Sequence, residues 1–265
     1  MFRRNSVPEG GQKMETGTFN QGQRNGLSTF YYPSGKTKNT VDYENGNMNG
    51  LREYVDEAGN IVFSEYYKNG QIQGISKAIC NETIRISYNY KNNEKNGDEI
   101  FYGDDNKIAL VIKFDEGNAY GYTYTGTDGN LVPVVPLKNG TGPIIAYYSN
   151  GQKSAEMNAL NGLLEGTQKV YYSNGQPAEE RTYKNYLLDG RFVRYNIDGK
   201  VVYDDAYWNG EEMGTEYSYD KNRQLLFSEP HYMGEAHGDA AIKDLSTNKS
   251  NTYKYYCGTL LNIID

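Results

Sequence analysis

The chain has 265 residues, a net charge of −7, 30 glycines, 27 tyrosines against 8 phenylalanines, one tryptophan and two cysteines. This acidic balance lacks the basic footprint that nucleic acid or an anionic lipid surface needs, and no run of about 18 apolar residues offers a transmembrane segment. The start, MFRRNSVPEGG, has no apolar secretory stretch, so the chain reads as cytoplasmic as written, or as exported if a leader was removed.

Glycines form a ruler. Gly26, Gly50, Gly74, Gly97 and Gly121 lie 24, 24, 23 and 24 residues apart, and Gly142, Gly166, Gly190, Gly214 and Gly238 follow at steps of 24. A fixed period of this length signals stacked repeats, each burying its apolar surface against its neighbours. Gly11, Gly22 and Gly26 match Gly35, Gly46 and Gly50, so the ruler starts near residue 2.

The unit from Gly50 to Gly74 contains two runs rich in Tyr, Val, Ile and Phe. Ala58-Gly59-Asn60 closes the first and Lys68-Asn69-Gly70 the second. Asn-Gly between β-prone runs predicts a type I′ hairpin turn. It recurs at Asn45-Gly46, Asn139-Gly140, Asn150-Gly151, Asn161-Gly162, Asn174-Gly175 and Asn209-Gly210, with Asp128-Gly129 and Asp198-Gly199 as equivalents. The turn glycine and the opening glycine four residues later predict a connector with backbone angles closed to other residues. No helix is expected.

Three units depart from the pattern. The unit 74–97 is one residue short, with Asn93 in place of the second turn glycine. The segment 121–142 is three residues short and carries Pro133 and Pro136, which remove ladder donors and predict a bulge, kink or local loss of pairing. Tyr186 replaces a turn glycine. Past Gly258 the apolar tail Leu260, Leu261, Ile263 and Ile264 is expected to cover the last strand edge. The expected domain organisation is one continuous array over 1–265 of roughly eleven units, with an irregular seam at 121–142.

Five residues after the opening glycines come Tyr31, Val55, Ile79, Tyr102, Tyr147, Tyr171, Tyr195 and Tyr219. Three before the second turn glycine come Phe19, Tyr43, Tyr67, Phe114, Tyr183, Tyr207 and His231. Both columns read as the apolar spine of one sheet face. In a strand, neighbours point to opposite faces. Tyr32, Tyr148, Tyr172 and Trp208 are therefore expected to form an aromatic row on the other face, an interaction surface for a peptide, a glycan or another protein.

The phrases YYSNGQ (147–152 and 171–176), YYKNGQIQG (66–74) and YENGNMNG (43–50) resemble the MORN repeat in its bacterial variant form. The resemblance covers nearly the whole chain. It implies an all-β, elongated antiparallel β-meander of 24-residue hairpin units in a single curled layer. Proteins similar in this way are labelled antitoxin-like components of toxin–antitoxin systems, or resemble exported surface proteins; related eukaryotic chains serve as scaffolds or membrane-associated organisers. The resemblance supplies no catalytic residue.

No catalytic, metal or cofactor-binding residue is expected, and the chain is not expected to be an enzyme. His231, Glu235 and His237 are close in sequence, but His231 belongs to the aromatic column and no further ligand stands at fitting spacing. Cys80 and Cys257 lie about seven units apart, too far for a mutual disulfide. The reading is a non-enzymatic scaffold for a protein partner, in bacterial context a toxin neutralised by an antitoxin or immunity-like chain. The alternative is an exported bacterial surface protein that binds glycan or host ligand through the aromatic face.

Overall fold

A computed structural model describes residues 2–6, 13–32, 34–56, 58–80, 82–185, 187–220, 222–244, 247–257 and 259–264. Gly11, Asn81, Tyr186 and Gly258 lie outside them. The described residues are strand and turn throughout, with no helix. They form two sheets of 14 strands each, antiparallel meanders that run from Phe2–Ser6 to Val135–Pro136 and from Gly142–Tyr147 to Thr259–Ile264. Residues 1–122 and 134–136 make one compact unit, and residues 123–133 and 137–265 the other.

Two kinds of turn build each repeat. At the second turn, both central residues have positive φ, as in Asn45 (49°) and Gly46 (85°), or Asn161 (52°) and Gly162 (86°). This is the expected type I′ hairpin. In the short unit, Asn92 and Asn93 take φ of 53° and 70°, since asparagine tolerates the left-handed region that glycine fills elsewhere.

The first turn is different, which corrects the single turn class read from the sequence. Gly151 has φ of 84°, while Asn150 is not in the positive region. The Gly151 N–H donates to the Tyr148 carbonyl at 2.9 Å, and the Tyr148 N–H donates to the Gln152 carbonyl at 2.8 Å. Tyr172–Gly175 and Asn196–Gly199 repeat the pattern. This is a type I turn followed by one left-handed glycine, a geometry that inserts a bulge into the ladder. The ladder shifts register accordingly between Phe30 and Tyr31, Tyr54 and Val55, Ala146 and Tyr147, and Val170 and Tyr171.

The paired ladder separates the two aromatic columns. Tyr43 pairs with Gly26, and Tyr67 with Gly50, so these rings share a face with the residues two and four places after each opening glycine. The buried columns are those residues and their partners: Ser28 faces Val41, Glu99 faces Ile112, Ile144 faces Met157, and Ala240 faces Tyr253. Tyr31 and Tyr171 lie on the opposite face. Their hydroxyls meet Thr16 at 2.9 Å and Glu156 at 3.4 Å. Tyr147, expected in the spine, is 40% exposed, whereas Tyr148 is only 7% exposed. Tyr147 stands an odd five places after Gly142 on a strand without a skipped residue, and so faces away from Ile144 and Ala146.

Each unit has its own apolar concentration. In the first, Phe101, Leu110, Ile112 and Phe114 are buried. In the second, Ile144, Ala146, Ala155, Met157 and Ala159 are buried, and Ala240, Tyr253 and Tyr255 form a further cluster against Ala236 and Ile242. Across 121–142 the pairing includes Gly121 with Pro136, Tyr122 with Val135, and two isolated bridges, Thr125 to Leu131 and Lys138 to Thr141; the first sheet ends on the two-residue strand containing Pro136, and the second begins at Gly142. Gly121 is required there by close approach, because a Cβ would stand 2.9 Å from Val134 Cγ1. At the far end, Thr259–Ile264 is itself the last strand, with Leu261 and Ile263 exposed, so the apolar tail extends the sheet rather than covering its edge.

Candidate interaction surface

Successive repeats are joined by two sets of bonds that the sequence reading did not find. The first is a cap. In many units the residue before the opening glycine accepts from the backbone N–H of the next unit's turn, 20 positions on: Asn25 from Asn45, Asn49 from Asn69, Thr141 from Asn161, Asp189 from Asn209. Met213 Sδ and His237 Nδ1 hold the same station for Met233 and Cys257. Beside the cap, the turn glycine N–H reaches back to the previous unit, as in Gly46 to the Arg24 carbonyl and Gly162 to the Gly140 carbonyl. The signal was a 24-residue column of side-chain acceptors, visible only once the hairpins are stacked.

The second set involves the residues expected to form an interaction face. Tyr32, Tyr148 and Tyr172 stand at the corner where the first turn begins. Their hydroxyls donate forward by 23 residues, to the carbonyls of Val55 (2.9 Å), Tyr171 (2.6 Å) and Tyr195 (2.7 Å). Where this corner is instead Asp56, Asn196 or Asp220, the side chain closes its own turn by accepting two backbone N–H groups. The corner is thus either a clasp to the next repeat or a local Asx turn. Trp208 is placed elsewhere. It stands on strand Val201–Trp208 immediately before a second turn, 57% exposed, and does not extend a row made by the three tyrosines.

Toward the end of the second sheet, the buried face becomes polar. Glu179 holds Arg181 and Arg194, the latter through Nε at 3.0 Å, and both guanidinium groups lie over the Phe192 ring. Burial pushes the Glu179 carboxyl up, but the two arginines outweigh it and hold its pKa below the ordinary value. Beyond this triad lies an acidic group. Tyr203 donates to Asp205 at 3.2 Å, Tyr207 donates to Glu212 at 3.2 Å, and His231 Nε2 lies 3.1 Å from Glu229 and 3.3 Å from Glu212.

Glu216 faces Glu229 across the ladder. Burial, with Asp205, Glu212 and Glu229 adding to it, pushes its pKa up to about 7. Glu212 is raised chiefly by burial. Burial works against the His231 imidazolium, yet Glu229 and Glu212 win and raise its pKa. Burial also raises Tyr203 and Tyr207. In the first unit, Glu65 plays a similar part on a smaller scale, accepting from Tyr67 at 2.9 Å and pairing with Arg52 at 3.5 Å. Among the described residues, no three His, Cys, Asp or Glu side chains are grouped to hold a metal ion. No described helix is long and apolar enough to cross a membrane.

Solved structures similar to this chain include a crystal structure of a protein from Lactobacillus plantarum, 13% identical, with 94% of each chain covered and a TM-score of 0.27. Another is the TcdB2-TccC3-Cdc42 complex, 13% identical, covering 98% of this chain and 17% of that chain at a TM-score of 0.18. Neither similarity is close enough to carry an argument. No curated protein matches. The family model described as MORN repeat variant matches residues 24–45 and 164–185. Both stretches start two residues before an opening glycine and end in the following second turn, so they mark the same phase of the unit. Two stretches of the chain, one in each sheet, are thus similar to the MORN repeat variant.

Proposed function

We propose that the chain is a non-catalytic scaffold that docks a protein partner. MORN repeats suit contact with a protein or a membrane, and the net charge of −7 favours the protein. One observation carries the reading. The caps and clasps between repeats are made by turn and corner residues, which leaves the edge positions at each 24-residue station free to vary on a rigid frame. Stacked repeats with surface residues varying over a fixed ladder are suited to extended binding surfaces.

The finer reading is that the partner is a bacterial toxin, neutralised by occlusion of its surface. Affinity capture with the full chain from its own host is expected to return one protein in stoichiometric amount, and co-expression is expected to relieve that protein's toxicity. Capture of no protein, while glycans are retained, would refute the scaffold reading.

A further inference from the structure

Along one edge of the second sheet, the position just before each second turn changes character. The earlier stations carry Glu44, Lys68, Lys91 and Asp115 in the first sheet, and Leu160 and Lys184 in the second. The last three carry Trp208, Tyr232 and Tyr256, exposed by 57%, 59% and 61%. Glu211 stands across the hairpin from Trp208, and Glu235 across from Tyr232. The Glu211 carboxylate lies against Gly234 in the following turn, between one aromatic station and the next. The His237 ring fills the next gap, 6.1 Å from Tyr232 and 5.0 Å from Tyr256.

No Lys or Arg occurs in Trp208–Met213 or His231–Asp239. On the same face, Arg191 binds Asp204 and Lys254 faces Asp239, while Lys184 holds the station before Trp208. The result is a line of exposed rings with the carboxylates of Glu211 and Glu235 beside it. Rings attract cations over their faces, and carboxylates at their edges add charge complementarity.

The period fixes the shape of the occupant. Two strands separate successive rings, about 9.6 Å at the usual strand spacing. A polyproline-II chain advances about 9.3 Å in three residues and completes one turn, which returns every third side chain to the same side. We propose that this strip docks a cationic polyproline-II segment with Lys or Arg at every third residue, a proposal that rests on the scaffold reading above. The cations sit over Trp208, Tyr232 and Tyr256, and Glu211 and Glu235 flank them.

Trp208 is the chain's one tryptophan and reports on the strip directly. A synthetic peptide of repeated Lys-Pro-Pro, titrated into the full chain, is expected to change its fluorescence saturably and to bind more weakly as salt rises. The double variants Tyr232→Ser/Tyr256→Ser and Glu211→Gln/Glu235→Gln alter exposed side chains, and circular dichroism verifies their fold. Each is expected to weaken binding roughly tenfold. Repeated Glu-Pro-Pro is expected to leave the signal unchanged.

The proposal is overturned if Lys-Pro-Pro gives no saturable signal, if the variants bind as well as wild type, or if a β-1,4-linked N-acetylglucosamine oligomer alone shifts Trp208. Capture of the same host protein by wild type and by the Tyr232→Ser/Tyr256→Ser variant overturns the strip while the scaffold reading stands. Capture of none overturns both.

Discussion

Glu216→Gln tests the energetics of the acidic face. Glu216 is half-buried opposite Glu229, with Asp205 and Glu212 adding negative charge and His231 opposing them. Its pKa rises from 4.5 to about 7, so the folded chain holds a proton that the unfolded chain releases. Where the folded state binds more protons, stability falls as pH rises. Glu216 therefore imposes no penalty below about pH 4.5, and its full penalty appears only above pH 7.

The rise from 4.5 to about 7 corresponds to about 3 kcal/mol once both states are ionised. Glutamine keeps the size and hydrogen-bonding capacity but removes the charge. Glu216→Gln should thus be neutral near pH 4 and stabilising at pH 8.5 by up to about 3 kcal/mol, less whatever a water reaching the site screens. Glu212 and His231 are also raised, so the wild-type decline with pH should be reduced rather than abolished. Denaturant unfolding followed through Trp208, in the preceding repeat, reads this region without assuming that the whole chain melts together. An equal effect at both pH values, or destabilisation at pH 8.5, would show that Glu216 is neither buried as described nor opposed by its neighbours.

Glu179→Gln leaves Arg181 and Arg194 without their shared carboxylate and should cost about 3 kcal/mol at neutral pH. Because the Glu179 pKa is lowered, its contribution is lost as pH falls, so the difference from wild type should shrink in acid. Tyr148→Phe removes the hydroxyl bond to the Tyr171 carbonyl and should cost about 1 kcal/mol in denaturant melts. Unchanged stability with lost partner binding would return this tyrosine to the interaction face. Gly140→Ala places a Cβ 2.6 Å from Gly162 Cα in a residue of φ +68°, and should cost at least about 2 kcal/mol. Gly151→Ala, with φ +84° and open space around it, should cost only about 1 kcal/mol, and equal losses would refute the stacking of those two turns.

The repeat period, the strand class and the type I′ second turns were determined by the sequence alone, because each rests on local chemistry. A glycine or asparagine at positive φ states its requirement within two residues, and a proline removes its own donor wherever it stands. Even the short unit was legible on those grounds.

Facing was not. The first turn looked like another Asn-Gly hairpin, but it puts an extra residue into the strand that follows it, at Lys38, Val62, Ser154 and Ala178. Tyr31, Tyr147 and Tyr171, assigned to the spine by their distance from the opening glycine, stand five places after it, an odd step along a strand without a bulge, and so face the other way. The paired ladder keeps Tyr43 and Tyr67, the other expected column, on the buried face.

The caps at Asn25, Asn49 and Thr141, the clasps at Tyr32, Tyr148 and Tyr172, and the raised pKa of Glu216 all arise between residues brought together by stacking. A 24-residue period says which stations repeat. Which side chains meet across neighbouring stations, and which are left outside to meet a partner, is decided by hydrogen-bond register and burial in the assembled sheets.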